Sequence, residues 1–260
     1  MKVLTKVFKL MYIGTYIARI HLSSYIAWLV NSVLWFIFIF TPVMMLSEDV
    51  VKAFQTFVPG LLVMSCGGVA ISATVEFLRW NVNQGITDTF RENGLNVFAY
   101  LLTGVHIDVV VHGLLSYTLL ALGLSNYLNI GLPEVLPKNP VLFTIAIIAL
   151  IPTYLLIGSI TAYVYTVSRV SSAWMLIAQM LIAVGTVIPP NILTSSYLFL
   201  LNPLTIVAEL ARASYGQNVF ELNTLLQLSI IALPLYVVVA YFISIKSDEY
   251  ISRRGLEYRF

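Results

Sequence analysis

The chain has 260 residues, of which 59% are hydrophobic and only 10% are charged. Soluble domains are about 45–50% apolar and about 25% charged, so this chain has too few polar residues to cover a water-exposed surface. The composition excludes an ordinary cytosolic enzyme and a disordered chain, and a single cysteine, Cys66, excludes a disulfide scaffold. The net charge of +2 gives no argument for nucleic-acid binding. The sequence predicts an all-α polytopic membrane protein with one transmembrane domain, residues 1–260.

Residues 1–22 precede the first long apolar run and are predicted to form a basic amphipathic helix. The polar stripe of this helix consists of Lys2, Thr5, Lys6, Lys9, Tyr12 and Tyr16. Such a helix lies at the headgroup level of an anionic leaflet. The stretch lacks the apolar core and small-residue cleavage site of a cleavable signal peptide. We expect an interfacial helix, and the alternative is that the segment begins the first span.

Six apolar runs approach or exceed the length of about 20 residues that a spanning helix needs. They are residues 24–46, 57–77, 95–122, 141–165, 173–188 and 224–245. The runs are continuous rather than alternating, which favours helices over a β-barrel. Pro42 and Pro234 lie inside two of them, where we expect them to kink the helices.

The basic residues between these runs predict the orientation of the chain. Eleven Lys and Arg residues lie in the two terminal segments, the second-to-third loop and the fourth-to-fifth loop, whereas the opposite side has only Lys52, Lys138 and Arg212. Basic loops stay in the cytoplasm. We therefore expect a multi-pass cell-membrane protein with both termini in the cytoplasm, which fits an even number of spans.

Motifs for catalysis are missing from the sequence. It has no G-x-x-x-x-G-K-[ST] phosphate loop, no H-E-x-x-H and no cysteine pair at metal-ligand spacing. We expect no catalytic residue, no metal site and no cofactor in this chain. A membrane-embedded enzyme is therefore disfavoured, and a pure assembly factor has no positive feature in the sequence.

The stretch 76–94 is the most charge-dense part between two predicted spans. Gly85 and Gly94 bracket a helix-compatible segment in which Asp88, Arg91 and Glu92 share one face at i,i+3 and i,i+4 spacing. A short amphipathic helix between two long spans can dock into a groove of a soluble partner. The alternative is a solvated connecting loop.

A second segment, residues 190–217, is predicted to carry external helices on the opposite side of the membrane. Asn202 suits a helix N-cap and Pro203 suits the first turn. Glu209 and Arg212 follow at i,i+3 spacing, and Gly216 is a plausible stop. We expect a helix of about 12 residues that does not span, preceded by an apolar stretch that dips into the outer leaflet. An ordinary external loop is the alternative.

Polar residues inside the third apolar run form a third candidate feature. Asp108 is expected near the membrane midplane, where an ionised side chain is costly and needs a partner. His112 lies four residues later on the same helical face. This intramembrane pair suggests either a proton-relay or substrate-contact site, or a hydrogen-bonded pair that only fixes helix packing.

Together these features resemble the membrane subunit of an ABC-2 type exporter, a type V ABC exporter permease. Three parts carry the resemblance. One is the basic N-terminal helix. The second is Gly-Ile-Thr-Asp at 85–88, followed by Asn-Gly-Leu-Asn at 93–96 and Leu-Leu-Thr-Gly at 101–104. The third is Leu-Asn-Pro-Leu-Thr at 201–205, followed by Glu209 and Arg212. The family usually has Glu where Asp88 stands, and a proline-containing turn where Asn93 and Gly94 stand.

The resemblance implies the function. Two such subunits, identical or paralogous, would pair around a central path through the lipid membrane. Each would meet a separate ABC ATP-binding subunit, which holds ATP and Mg, and no nucleic acid would be involved. The helix 84–92 would be the coupling helix. Its expected ATPase contacts are Gln84, Gly85, Thr87, Asp88, Arg91 and Glu92.

The external segment would close the path on the outside, and the chain would transmit work without hydrolysing ATP. The sequence leaves the substrate open among drugs, lipids, glycans and polypeptides. A proton-coupled secondary transporter that uses Asp108 and His112 is the alternative function.

Overall fold

The computed structural model describes residues 8, 9, 12, 15, 16, 19, 22–83, 96–108, 114–168, 172–192 and 196–254. Within these residues the chain is mostly helical and forms no β-strand, which confirms the predicted all-α class. The interfacial helix predicted at 1–22 is described at seven positions only, and all seven are helical. The predicted coupling helix at 84–92 lies outside the described residues.

The described part of the chain contains nine α-helices and two short 3₁₀ segments. The α-helices are α1 (Leu22–Met45), α2 (Val50–Asn83), α3 (Val97–Asp108), α4 (Ser116–Leu128), α5 (Leu132–Val135), α6 (Pro140–Ser168), α7 (Ser172–Ile182), α8 (Pro203–Ala213) and α9 (Leu222–Arg254). The 3₁₀ segments, Pro190–Ile192 and Ser196–Leu201, lie between α7 and α8.

Three of the described helices are long and apolar enough to cross a membrane. The stretches that meet this criterion are Val50–Val75 in α2, Pro140–Val167 in α6 and Leu222–Arg253 in α9. They coincide with the second, fourth and sixth predicted runs. Proline is tolerated inside such helices when neighbouring groups satisfy the freed backbone, and Pro234 lies within α9 as predicted.

The other three predicted runs correspond less closely to the helices. The first run matches α1, which contains Pro42. The third run falls on α3 and α4, and residues 109–113 between them lie outside the described part. The fifth prediction is wrong at its end, because α7 stops at Ile182 after 11 residues and the chain turns over 183–187.

Helix α6 is the central element of the bundle and packs against α2, α3, α8 and α9. Small residues allow this close packing, as is common between helices in membranes. A Cβ atom on Gly158 would lie 3.2 Å from Thr74 Oγ1 of α2 and would collide with Leu101 of α3. On the α9 side, the hydroxyls of Ser159 and Ser244 are hydrogen-bonded at 2.9 Å, and both residues are fully buried.

Three connections meet at one end of the bundle, which we call the α5 end. The Gln55 amide at the start of α2 donates to the Glu134 carbonyl of α5 at 2.9 Å. The Asn139 amide before α6 donates to the Ser214 carbonyl after α8, also at 2.9 Å. These are the connections that the sequence places on one side of the membrane.

Candidate functional site

Helix α8 begins at the N-cap that the sequence predicts. The Asn202 side chain accepts a hydrogen bond from the Leu204 amide at 3.1 Å, and Pro203 is the first helical residue. Pro at this position gives up no hydrogen bond, since the first amides of a helix have no partner within it. The helix ends at Ala213, and Gly216 has a φ of 76° in the turn that follows.

Helix α8 is buried on every side, from Leu204 to Arg212. A Cβ atom on Gly67 of α2 would touch Leu204, whereas one on Gly60 would touch Arg212. At 1.5 Å per residue, Gly67 lies about 25 Å from the start of α2. Helix α8 therefore starts deep in the bundle and returns along α2 towards the α5 end, as a re-entrant helix does.

The chain break after α7 lies beside this re-entrant helix. A helix that ends inside a bundle leaves carbonyls without partners, and in an apolar environment each unsatisfied group costs several kcal/mol. The Asn202 amide nitrogen serves two of them, since it donates to the Ile182 carbonyl at 3.1 Å and the Val184 carbonyl at 2.8 Å. Asn202 thus caps α8 and the end of α7 at the same time.

The Arg212 guanidinium serves the remaining carbonyls of the turn. Its Nη atoms donate to Gly185 at 3.5 Å, to Val187 at 3.2 Å and to Thr186. Its Nε donates to the Thr56 carbonyl of α2 at 2.9 Å. Because one further N–H goes to Glu209, all five donors of the guanidinium have acceptors.

Glu209 neutralises this buried cation. Its Oε1 accepts from Arg212 Nη1 at 2.7 Å, and both side chains are 0% exposed. Its Oε2 accepts from the Val219 amide at 2.6 Å and the Phe220 amide at 3.4 Å, just before α9. A buried ion pair is tolerated only when its remaining hydrogen-bonding groups are satisfied, and here the backbone satisfies them.

The close fit around Arg212 depends on a glycine. A Cβ atom on Gly60 would lie 2.7 Å from Arg212 Nη2 and even closer to the Thr186 carbonyl oxygen. Just after α8, the hydroxyls of Tyr215 and Tyr117 are in hydrogen-bonding contact, and the Tyr215 hydroxyl donates to the Val135 carbonyl at 2.9 Å. Sequence reasoning missed Gly60 and both tyrosines, since they are far apart in the chain and have no motif in common.

The burial of Arg212 also changes the charge count that sets the orientation. By sequence it is one of three basic residues in the outer loops. Of those three, Lys52 and Lys138 are exposed, whereas Arg212 is sealed in the bundle with its counter-ion. In the loops that the sequence predicts to lie outside, two of these three basic residues are therefore exposed.

The other predicted site residues lie outside the described residues or at their edge, so the structure does not test them. Asp108 is the last residue of α3 and only its backbone is described, and His112 lies outside the described residues, as do Gln84, Gly85, Thr87, Asp88, Arg91 and Glu92. No group of three His, Cys, Asp or Glu side chains that could hold a metal ion occurs in the part of the chain that the structure describes.

Every hydrogen-bonding group of the Glu209–Arg212 pair already has a partner within the protein. The guanidinium has no donor left for a ligand, and Glu209 is bonded on both oxygens. The site therefore holds the 183–187 turn, α2 and the start of α9 in one arrangement. No known protein family, no curated protein and no solved structure matches this chain.

Proposed function

We propose that this chain is the membrane-spanning subunit of an ATP-driven exporter of the ABC-2 type. It crosses the membrane six times, forms the translocation path with a second copy or a paralogue, and receives its power from a separate ATP-binding subunit. The transported substrate is left open.

The observation that carries the proposal is the re-entrant helix α8 with its Glu209–Arg212 pair. The Asn-Pro-Leu-Thr segment and the following Glu and Arg are the residues by which the chain resembles the exporter family. They are also the residues that hold the broken end of α7, because Asn202 and Arg212 satisfy carbonyls there. The resemblance therefore rests on residues that hold several helices together, and this supports the proposal more than a match of five residues in sequence alone would.

The course of the helices supports a six-span topology. The α1–α2, α4–α6 and α8–α9 connections share one end, which is what six alternating spans require. Helix α1 is 24 residues long, or about 36 Å at 1.5 Å per residue, which is enough to cross the apolar core. We assign the third span to α3 and α4 together, and the fifth to α7 and the turn after it.

The cytoplasmic segment 84–92 is then the contact for the ATP-binding subunit. It follows directly on α2, whose opposite end holds Arg212 through the Thr56 carbonyl. In the proposed mechanism, ATP binding draws the two ATPase subunits together and pushes on this segment. Rigid helices transmit the displacement and change the access to the path.

Purification of the chain from its native membrane tests the proposal, because it predicts a tightly bound ATP-hydrolysing subunit. Reversal of charge at Asp88 and Arg91 should uncouple ATP hydrolysis from transport without loss of the folded protein. As a matched control, charge reversal at Glu134 and Lys138, on the opposite side, should leave coupling intact.

Two results would overturn this function. One is a purified, folded chain with no ATP-binding partner. The other is transport that continues after ATP depletion but stops when the proton gradient is dissipated, which would support the alternative carrier based on Asp108 and His112. In that carrier, Asp108→Asn abolishes transport; in the exporter it does not.

A further inference from the structure

Helix α2 is open along one stripe of its middle part and buried elsewhere. From Val58 to Ser72, the half-exposed residues are Met64, Gly68 and Ser72, and the others are buried. A spacing of four residues places these three on one face of the helix. The open face of α2 therefore consists of one methionine and two small residues.

This stripe lies in the apolar part of α2. In the sequence, the nearest charged residues on either side are Lys52 and Glu76, and Met64 is midway between them. At 1.5 Å per residue, Gly68 is about 6 Å and Ser72 about 12 Å from that midpoint. Both distances are within the half-thickness, about 15 Å, of the hydrocarbon core of a bilayer.

Gln179 of α7 is joined to the stripe through its amide nitrogen. Its Nε2 donates to the Gly68 carbonyl at 3.0 Å and to Ser72 Oγ at 2.5 Å. The Ser72 hydroxyl in turn donates to the Gly68 carbonyl at 3.1 Å. Both N–H groups of the Gln179 amide are thereby used. We call Met64, Gly68, Ser72 and Gln179 the α2–α7 seam.

The oxygen of the same amide is left for another partner. Gln179 is half-exposed, and its side-chain oxygen accepts no hydrogen bond from the residues that the structure describes. The seam also has open space, because a Cβ atom on Gly68 would meet no described atom within 4 Å. Lipid tails have no donor for a carbonyl oxygen, so polar groups at this depth face protein or water.

The outward face of α9 has a different composition. From Ile230 to Val238, every exposed residue of α9 is apolar, as expected of a surface that meets lipid. The α2–α7 seam instead presents a hydroxyl, an amide and two small residues. The two surfaces therefore suit different surroundings at similar depth.

We infer that the α2–α7 seam borders a water-filled cavity within the hydrocarbon core of the membrane. The inference deepens the proposed function and rests on it in one respect, because it locates the translocation path at this seam. The presence of water is a property of the chain itself, and it is measured without knowledge of the transported substrate.

Cysteine accessibility tests the inference. The native Cys66 is replaced by alanine, and Gly68→Cys and Ser72→Cys are made one at a time. The purified protein, with the partners that it retains, is reconstituted in proteoliposomes. The probe is a permanently charged methanethiosulfonate reagent loaded on both sides of the bilayer, which reacts with the thiolate and therefore needs water. The thiols that remain are counted with a maleimide after denaturation.

Two further positions calibrate the rates. Val238→Cys in α9 is the matched control, because Val238 is 50% exposed. At 1.5 Å per residue, Val238 lies about 26 Å beyond Glu221, and Gly68 lies about 24 Å beyond Lys52. Both Glu221 and Lys52 are exposed. Lys52→Cys gives the rate at a position in water.

We expect Gly68→Cys and Ser72→Cys to react about ten-fold faster than Val238→Cys or more, because apolar surroundings suppress the thiolate. The two seam variants are independent of each other, so one of them decides the test if the other does not fold. Gly68→Cys adds its side chain to open space, and Ser72→Cys exchanges one small side chain for another.

Seam variants that react as slowly as Val238→Cys would overturn the inference, whether lipid or a second copy of the chain covers the seam. A second copy in dry contact would be recognised by a disulfide-linked dimer of Gly68→Cys. The proposed function is judged separately, by the ATP-binding subunit that purifies with the same variants. A dry seam with a bound ATPase refutes the inference alone, whereas a reactive seam without an ATPase refutes only the proposed function.

Discussion

Helices α8 and α9 differ in which side chains they bury: α8 buries charged side chains, whereas α9 exposes large apolar ones. Helix α8 has 11 residues, carries two charges and is buried throughout its central nine residues. Helix α9 has 33 residues, yet it leaves large apolar side chains open to the surroundings, with Ile230 at 74% and Ile231 at 70% exposure. In water, such an exposed apolar surface would promote aggregation. It suits a bilayer, where the apolar surface meets lipid and the charges need protein around them.

The buried face of α9 shows what holds helices together in such surroundings. It includes the small residues Ser229, Ala240, Ser244 and Ser247. Lipid tails are as apolar as leucine, so burial of apolar area adds little, and close packing and hydrogen bonds between helices matter more. The comparison predicts that changes in α8 and at its contacts are more damaging than changes on the outward face of α9.

The largest effect is expected from Arg212→Met. This variant leaves Glu209 as a buried anion without its cationic partner, and three carbonyls of the 183–187 turn lose the donor that Arg212 supplies. Loss of one member of a buried pair costs about 3–5 kcal/mol. Thermal unfolding of the purified protein in detergent measures the loss. Lys52→Met, which replaces an exposed cation, is the control, and equal melting temperatures of the two variants would contradict the clamp role of Arg212.

A matched pair in α9 tests its two faces directly. Leu225 is fully buried and Ile230 is exposed. Leu225→Ala should cost about 2 kcal/mol, the lower part of the range for core truncations. Ile230→Ala should remain within about 0.5 kcal/mol. A large loss at Ile230 would mean that this face packs against protein rather than lipid.

Gly60→Ala comes next in size. Its added Cβ atom would lie 2.7 Å from Arg212 Nη2 and closer to the Thr186 carbonyl, and such overpacking costs about 1–3 kcal/mol. Gly68 lies in the same helix, and a Cβ atom added there would have no other atom within 4 Å. Gly68→Ala should therefore be neutral or stabilising by up to about 1 kcal/mol, as detergent melting curves of both variants will show.

Asn202→Ala is expected to have the smallest effect of these variants on α8 and its contacts, because the Ile182 carbonyl keeps the Thr186 hydroxyl as a donor and the bond to the Val184 carbonyl is exposed. Loss of a helix N-cap costs about 0.5–2 kcal/mol. Asn202→Asp separates the two roles of the side chain, since it keeps the cap acceptor but loses the amide donor to Ile182 and Val184. If the aspartate variant matches the wild type in a chemical denaturation series, the bonds to α7 contribute nothing measurable.

Local sequence signals predicted much of this molecule. Asn202 and Pro203 mark the start of α8 by chemistry that acts within one turn, and the apolar runs of α2, α6 and α9 are long enough to predict helices by length alone. The end of α7 was not predicted, because Ala183 and Val184 continue the apolar run. The turn forms since Asn202 and Arg212, about 20 to 30 residues further on, satisfy its carbonyls.

The burial of the Glu209–Arg212 pair could not be predicted from the sequence either. A spacing of i,i+3 between opposite charges is common on solvated helices, and it does not distinguish a surface pair from a buried one. Burial is decided by Thr56 and Gly60, some 150 residues earlier in the chain. The segment 84–92, which is predicted to be cytoplasmic, and His112 lie outside the described residues, so their location and roles stay predictions.

The order of the helices along the chain has a consequence for biogenesis. Helix α8 packs between α2 and α6, which precede it, and α9, which follows. Two of the helices that surround it therefore leave the ribosome before either charge is synthesised, and the third closes over them afterwards. A nascent chain from which α8 has left the ribosome but α9 has not would hold the ion pair with one flank open to lipid.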